Sequence, residues 1–231
     1  MRAVFFDVDG VLLHSFFHPD PAKRRRWDDH LLEDVGIAPE QLNGFFETRF
    51  NAAMLGQTSI ITELDAYLPT IGYVGSSLDF LSYWLMRDTH INLPLLNLIR
   101  RLRTRSDAAL YIATNQEHIR AFHLWNEVGL RHYFDDMFHA ARLGVSKSDA
   151  AYYTKVEEVV GGDAEAPLIF DDSERVIAAA GSAGWETVLY HDLKDFTDHP
   201  WIADRLGIAG ASPLAEGSVA EDGGEDIVDY L

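Results

Sequence analysis

The stretch VFFDVDGVLL, from Val4 to Leu13, decides how this chain is read. An apolar run ends in two carboxylates one residue apart, with a glycine directly after them. A short apolar run bounded by Asp and Gly reads as a buried strand. Positions i and i+2 of a strand share a face, so Asp7 and Asp9 can address one ligand. Gly10 lets the chain turn at once. Taken alone, an Asp-x-Asp-Gly segment also reads as an ordinary polar turn. What the other strands deliver to the same edge decides between a turn and a site.

Four further runs read as strands: Ala108 to Thr114, Ala166 to Asp172, Glu186 to Asp192 and, more weakly, Asp135 to Ala141. Helical periodicity fills the gaps between them. LPLLNLIRRLRTR places Leu95, Leu98, Ile99 and Leu102 on one face. QEHIRAFHLWNEVGL does the same and ends near Gly129. SKSDAAYYTKVEEVVGG opens on a serine cap and stops at paired glycines, and SERVIAAAGSAG is a shorter helix. Strands alternating with helices predict an α/β fold with a doubly wound parallel sheet. From Ser15 to about residue 91 the rhythm breaks. That segment holds no convincing strand and has helical windows around RRWDDHLLEDVG, Pro39–Met54, Ser59–Leu68 and Leu78–Arg87. The expected organisation is a core of residues 1–14 and 92–206, a helical insertion at 15–91, and a tail at 207–231.

The chain has 231 residues, no cysteine and a formal net charge of −18. The missing cysteines exclude a disulfide framework and a thiol nucleophile. The negative balance argues against nucleic acid as a partner. No run approaches the roughly 18 apolar residues of a membrane span, and Asp7 and Asp9 interrupt the N-terminal run that would otherwise resemble a signal peptide. A cytoplasmic protein is expected, with the oligomeric state left open. The end of the chain, AEGSVAEDGGEDIVDYL, combines glycine with acid and reads as a disordered, solubilising tail.

In an open parallel sheet, ligands bind beyond the carboxyl ends of the strands. Those ends carry Asp7 and Asp9, then Thr114 and Asn115, then Asp171 and Asp172, while Lys147 stands just before a helix. Each group has a bland reading: a turn, a strand end, an N-cap, a solvated lysine. Four segments delivering such groups to one edge make a site.

The pattern resembles the haloacid dehalogenase (HAD) superfamily, in which most members are magnesium-dependent phosphohydrolases. Its four motifs correspond to DVDGVL at Asp7–Leu12, YIATN at Tyr111–Asn115, Lys147 within LGVSKSD, and IFDDS at Ile169–Ser173. The resemblance extends to about Leu206 and makes the helical insertion similar to the family's cap. It implies a Rossmann-like HAD core and a phosphatase working through an aspartyl-phosphate on Asp7. Asp9 would protonate the leaving alcohol and then activate water. Thr114, Asn115 and Lys147 would bind the phosphoryl oxygens, with Lys147 also neutralising charge. Asp7, Asp171, Asp172 and the backbone carbonyl of Asp9 would serve Mg2+. Family members that cleave carbon–halogen bonds usually carry tyrosine in place of Asp9, so the aspartate argues for phosphoester chemistry. The sequence departs in one place: the motif's lysine is usually followed by Pro-Asp, whereas Lys147 is followed by Ser148 and Asp149.

The expected substrate is a small phosphorylated metabolite, such as a sugar phosphate. Arg49 and His14 are the candidate contacts for it outside the motifs, since arginine reads anions well and His14 closely follows the first motif. The run Arg24–Arg26 reads as a solvated face, and Trp27, Trp84 and Trp125 as core. Three alternatives stand beside the phosphatase: a phosphomutase resembling β-phosphoglucomutase, a receiver-type signalling module, and a catalytically silent metal-binding protein. In receiver domains the Asp pair comes early, but here it comes last. The complete set of reactive side chains counts against a silent protein.

Overall fold

The first strand, β1 (Ala3–Phe6), is buried along its whole length and sends alternate side chains into two different cores. Val4 and Phe6 join one cluster, Ala3 and Phe5 the other, as the two-residue period of a strand requires. The computed structural model describes residues 1–14, 18, 21–161 and 165–208. Its sheet also contains β2 (Ala109–Thr114), β3 (Asp136–His139), β4 (Leu168–Asp171) and β5 (Glu186–Leu189). All neighbours are parallel in the order β3-β2-β1-β4-β5, so β1 is central. This is the expected doubly wound α/β sheet. The weakest of the five runs, that of β3, forms an edge strand.

The insertion comes next in the chain. Every regular element between Pro21 and Arg87 is helical: α1 (Leu31–Val35), α2 (Asn43–Thr48), α3 (Phe50–Met54), α4 (Ile60–Tyr67) and α5 (Ser77–Arg87), with short 3-10 turns between them. Ser59 and Ser76 cap α4 and α5 through their hydroxyls. The single window expected over Pro39–Met54 is divided at Arg49, where one helix ends and the next begins. Within α2 the Thr48 hydroxyl donates to the Gly44 carbonyl at 2.6 Å, a local bond that competes with the helical ladder. These helices pack around a cluster of their own that includes Leu31, Phe45, Leu64, Phe80 and the stacked pair Trp27 and Trp84.

After the insertion run α6 (Leu93–Arg105), α7 (His118–Asn126), α8 (Ala140–Leu143), α9 (Ala150–Val160), α10 (Glu174–Ser182), α11 (Leu193–Thr197) and α12 (Pro200–Leu206). Side chains of α6, α7, α11 and α12 cover the Phe6 face of the sheet, and those of α9 and α10 the Phe5 face. A fully buried Phe6 or Phe170 contributes about 1.5–3 kcal/mol each by leaving water. The cap of α9 is Asp149, which accepts the Ala151 N–H, and not the serine expected from the sequence. The Ser146 hydroxyl is instead engaged with Asn115. The expected acidic tail lies, from residue 209, outside the described residues. No described helix is long and apolar enough to cross a membrane.

Two segments connect the insertion to the sheet, and they are hydrogen-bonded to each other. Leu13 and Ile91 form an antiparallel bridge. His14 N donates to His90 O at 2.8 Å and Asn92 N to Leu12 O at 2.9 Å. The Asn92 side chain adds a bond to Val11 O at 3.0 Å. Away from this junction, the turn at Gly56 approaches α8 so closely that a Cβ there would lie 2.5 Å from Ala141 O.

Candidate active site

The strand register brings three of the expected segments to one level. Phe6 pairs with Phe170 on one side and with Ile112 on the other. Asp7 therefore leaves β1 where Asp171 ends β4, and its N–H donates to Phe170 O at 3.0 Å. Thr114 ends β2 just beyond. Immediately after Asp7 the chain makes a tight turn: Leu12 N and Leu13 N return to Asp7 O and Val8 O, and Gly10 takes φ +87°. Only glycine fits there. A Cβ at Gly10 would lie 1.9 Å from Asp172 Oδ2.

Lys147 lies at the centre of this edge, 2% exposed. Its ammonium is 2.7 Å from Asp7 Oδ1 and 2.6 Å from Asp171 Oδ2. Burial works against its charge, but Asp171 and Asp7 outweigh burial and hold it above the usual lysine range. The loop that carries it lacks the family's proline and is fixed by other means. Asn115 Oδ1 accepts from Lys147 N at 2.9 Å and from the Ser146 hydroxyl at 3.3 Å. The buried Tyr153 hydroxyl donates to Lys147 O at 2.7 Å. Asn115, expected to bind substrate, uses its Oδ1 to position Lys147.

Carboxylate oxygens of Asp7, Asp171 and Asp172 lie within 4.8 Å of one another. Burial raises the Asp7 carboxyl well above its ordinary value, with Asp171 and Asp172 adding to the effect against Lys147. Burial, then Asp171, pushes Asp172 up to about 6. A single ammonium under-compensates this cluster, and an all-oxygen donor set of this kind suits a hard divalent cation. Next to it, the Thr114 hydroxyl is buried with no hydrogen-bond partner among the described residues. A buried orphan donor is costly and calls for an acceptor.

Asp9 is placed differently from Asp7. Both of its oxygens accept from Arg120, Nη1 to Oδ2 at 2.8 Å and Nη2 to Oδ1 at 2.7 Å, and Gln116 Nε2 donates to Oδ2 at 2.6 Å. Desolvation by the surrounding protein raises the Asp9 carboxyl, but the Arg120 charge and these hydrogen bonds outweigh it, and the pKa is lowered. Gln116 and Arg120 are functional candidates that the sequence reading passed over. A signal was present. Arg120 sits in the first turn of α7, where the helix dipole disfavours a cation, so an arginine there calls for a specific carboxylate. Glu117, by contrast, accepts the backbone N–H groups of Ile119 and Arg120 and caps the helix.

Arg49 does not join this cluster. It pairs with Glu63 within the insertion at 3.0 Å. His14 lies nearer, lining a cavity of about 350 Å³ with Gly10, His18, Asn92, Tyr190 and His191.

The family model for haloacid dehalogenase-like hydrolases matches residues 1–184. The chain belongs to that family. Solved structures agree with the HAD fold. The HAD family enzyme BT-2542 from Bacteroides thetaiotaomicron, determined as a magnesium complex, superposes with TM-score 0.68 at 19% identity, covering 86% of this chain and 97% of that one. A predicted HAD-like family hydrolase from Porphyromonas gingivalis gives TM-score 0.62 at 19% identity, covering 81% and 89%. A putative β-phosphoglucomutase from Thermotoga maritima gives 0.51 at 20%, covering 80% and 82%. No curated protein matches the sequence. In this HAD-like hydrolase, Asp7, Asp171 and Asp172 form the one acidic group among the described residues that could hold a metal ion.

Proposed function

We propose that this chain is a magnesium-dependent phosphohydrolase of small phosphorylated metabolites, sugar phosphates included, and that the helical insertion at 15–91 acts as the cap over its active site. The observation that carries this reading is the joint placement of Lys147 against Asp7 and Asp171 with the orphan hydroxyl of Thr114 beside them. A phosphate monoester brings acceptor oxygens for Thr114 and negative charge for Lys147. It also needs a nucleophile, and Asp7, the residue that follows β1, would supply it.

Asp7, Asp171 and Asp172 would hold the magnesium ion, together with the Asp9 carbonyl. When bound, the ion supplies positive charge that offsets repulsion between the carboxylates and the phosphate. Asp7 attacks phosphorus, the bond to the leaving oxygen breaks, and a proton from Asp9 converts the departing alkoxide to alcohol. Asp9, now a carboxylate, takes a proton from water as that water attacks the aspartyl-phosphate. Inorganic phosphate leaves and Asp7 is regenerated. Lys147 and Thr114 hold the phosphoryl oxygens through both steps. Asp9 supports phosphoester over carbon–halogen cleavage, since only the former needs an acid for its leaving group.

A panel of phosphate esters, assayed for phosphate release with magnesium and with a chelator, tests the reading. Release that depends on magnesium supports it. No release from any ester, an activated aryl phosphate included, overturns it. Conversion of a sugar phosphate to its isomer without free phosphate points to a mutase instead.

A further inference from the structure

The chemistry proposed above asks Asp9 to give and take a proton, yet both oxygens of its carboxylate accept from Arg120, and Gln116 adds a third bond. Three such donors favour the ionised form of the carboxylate and hold its oxygens toward Arg120 and Gln116, which opposes carrying a proton to a leaving group. Its side chain is nevertheless 43% exposed and borders open space, whereas Arg120 is only 7% exposed. Arg120 has a second partner. The same Nη2 that donates to Asp9 lies 3.0 Å from Asp88 Oδ2. That oxygen also accepts from Trp84 Nε1 at 3.1 Å. Asp88 and Trp84 both belong to the insertion: Trp84 is on α5, and Asp88 is the residue that closes it. Asp88 is two residues from His90, whose carbonyl takes the His14 N–H at the junction with the core. One guanidinium nitrogen is therefore shared between the proton-transfer residue of the core and a carboxylate of the insertion.

We propose that Arg120 is a positioning residue for Asp9 and that Asp88 is the alternate acceptor that lets Arg120 release it, so the placement of the insertion governs when Asp9 reaches a leaving group. This rests on the phosphohydrolase reading. Arginine stays charged in proteins, so its only way to free Asp9 is to exchange partners. Without Asp88, releasing Asp9 would strand a buried, unpaired cation. With Asp88 already in contact, the exchange needs only a small movement. Because α5 carries Asp88 and leads directly into the paired linkers at Leu13 and Ile91, rotation of the insertion about those linkers changes the distance between Asp88 and Arg120.

The test compares kcat/KM for 4-nitrophenyl phosphate and for an alkyl phosphate that the wild type turns over, in wild type, Asp88→Asn, Asp88→Glu and Arg120→Lys. This parameter reports the steps up to departure of the alcohol. Nitrophenolate leaves unprotonated, whereas an alkoxide needs the acid. Asp88→Asn keeps the shape and an acceptor for Trp84 but loses the charge. Its kcat/KM is expected to fall about tenfold on the alkyl ester, a part of the 10²–10⁴ that general acids supply in full, and less than about twofold on the aryl ester. Arg120→Lys, which loses the two-pronged grip, should discriminate in the same direction, and Asp88→Glu should restore most of the ratio. Melting temperatures separate these effects from loss of fold, and Arg120→Lys carries the test if Asp88→Asn melts early. Equal losses on both esters, or none on either, overturn the inference while leaving the phosphohydrolase reading intact. A wild type inactive on both esters overturns that reading, and this inference with it.

Discussion

Asn115 Oδ1 accepts the backbone N–H of Lys147 at 2.9 Å, which ties the end of β2 to the loop that carries the buried cation. This bond and the Tyr153 hydroxyl on Lys147 O do the work of the rigid turn that the sequence lacks. Asn115→Ala should therefore lower kcat/KM by about tenfold or more without abolishing fold, because a misplacement of about 1 Å can cost up to 10²-fold. Steady-state kinetics beside a melting curve checks it. An unchanged kcat/KM would show that the loop holds Lys147 without Asn115.

Thr114→Val separates stability from function. The Thr114 hydroxyl is buried without a partner among the described residues, a state that costs about 1–3 kcal/mol. Replacing it with a methyl should leave the melting temperature equal or raise it. Activity should move the other way, with kcat/KM falling about 10²-fold through loss of a donor to the phosphoryl group. A variant that is both less stable and fully active would contradict this assignment.

Gly10→Ala tests the metal cradle. The residue sits at φ +87°, and an added Cβ would collide with Asp172 Oδ2. The substitution should lower the melting temperature, by strain worth about 1–3 kcal/mol, and erase any rise that magnesium gives the wild type. The readout is thermal unfolding with and without the ion. A magnesium-dependent rise that persists in Gly10→Ala would place the ion elsewhere.

His139 gives a pH dependence with a definite sign. Burial, then the neighbouring His118 and Arg142, lowers its pKa to about 4, from an ordinary 6.5. The unfolded chain therefore binds the proton first as pH falls. Its contribution is complete above pH 6.5 and is lost progressively as pH falls toward about 4. The raised pKa values of Asp88 and Asp172, each about 6, act in the opposite direction over part of that window. The difference between wild type and His139→Gln isolates the histidine. The melting temperature of wild type should drop more steeply than that of the variant between these limits, and parallel curves would refute the assignment.

The sheet was legible because each strand is a short apolar run ending in polar groups, and the motif residues stand at those ends. Asp7, Asp171 and Asp172 meet around Lys147, and Thr114 ends β2 at the same edge, because parallel register puts equivalent strand ends together. Arg120 was not legible as a site residue. It meets Asp9 across 111 positions of sequence, and on an amphipathic helix it reads as a solvated charge. Its position against the dipole of α7 was the overlooked signal. Arg49, an arginine selected for its chemistry, is paired with Glu63, a partner one helix away that periodicity alone does not reveal. The break at Arg49 was hidden for a related reason. Helical pattern continues through Pro39–Met54, while the break involves local bonds and aromatic packing among Phe45, Phe46 and Phe50.

The proposed mechanism rests on Asp7 as the nucleophile. It is tested most directly by quenching the wild type and Asp7→Asn during turnover of an activated aryl phosphate with magnesium, and locating any covalent phosphoryl group by peptide mass analysis. The wild-type peptide containing Asp7 should carry one phosphoryl group and that of Asp7→Asn none, and phosphate release should fall at least about 10³-fold in the variant. Full phosphate release by Asp7→Asn, or a phosphoryl group on another residue, would contradict it.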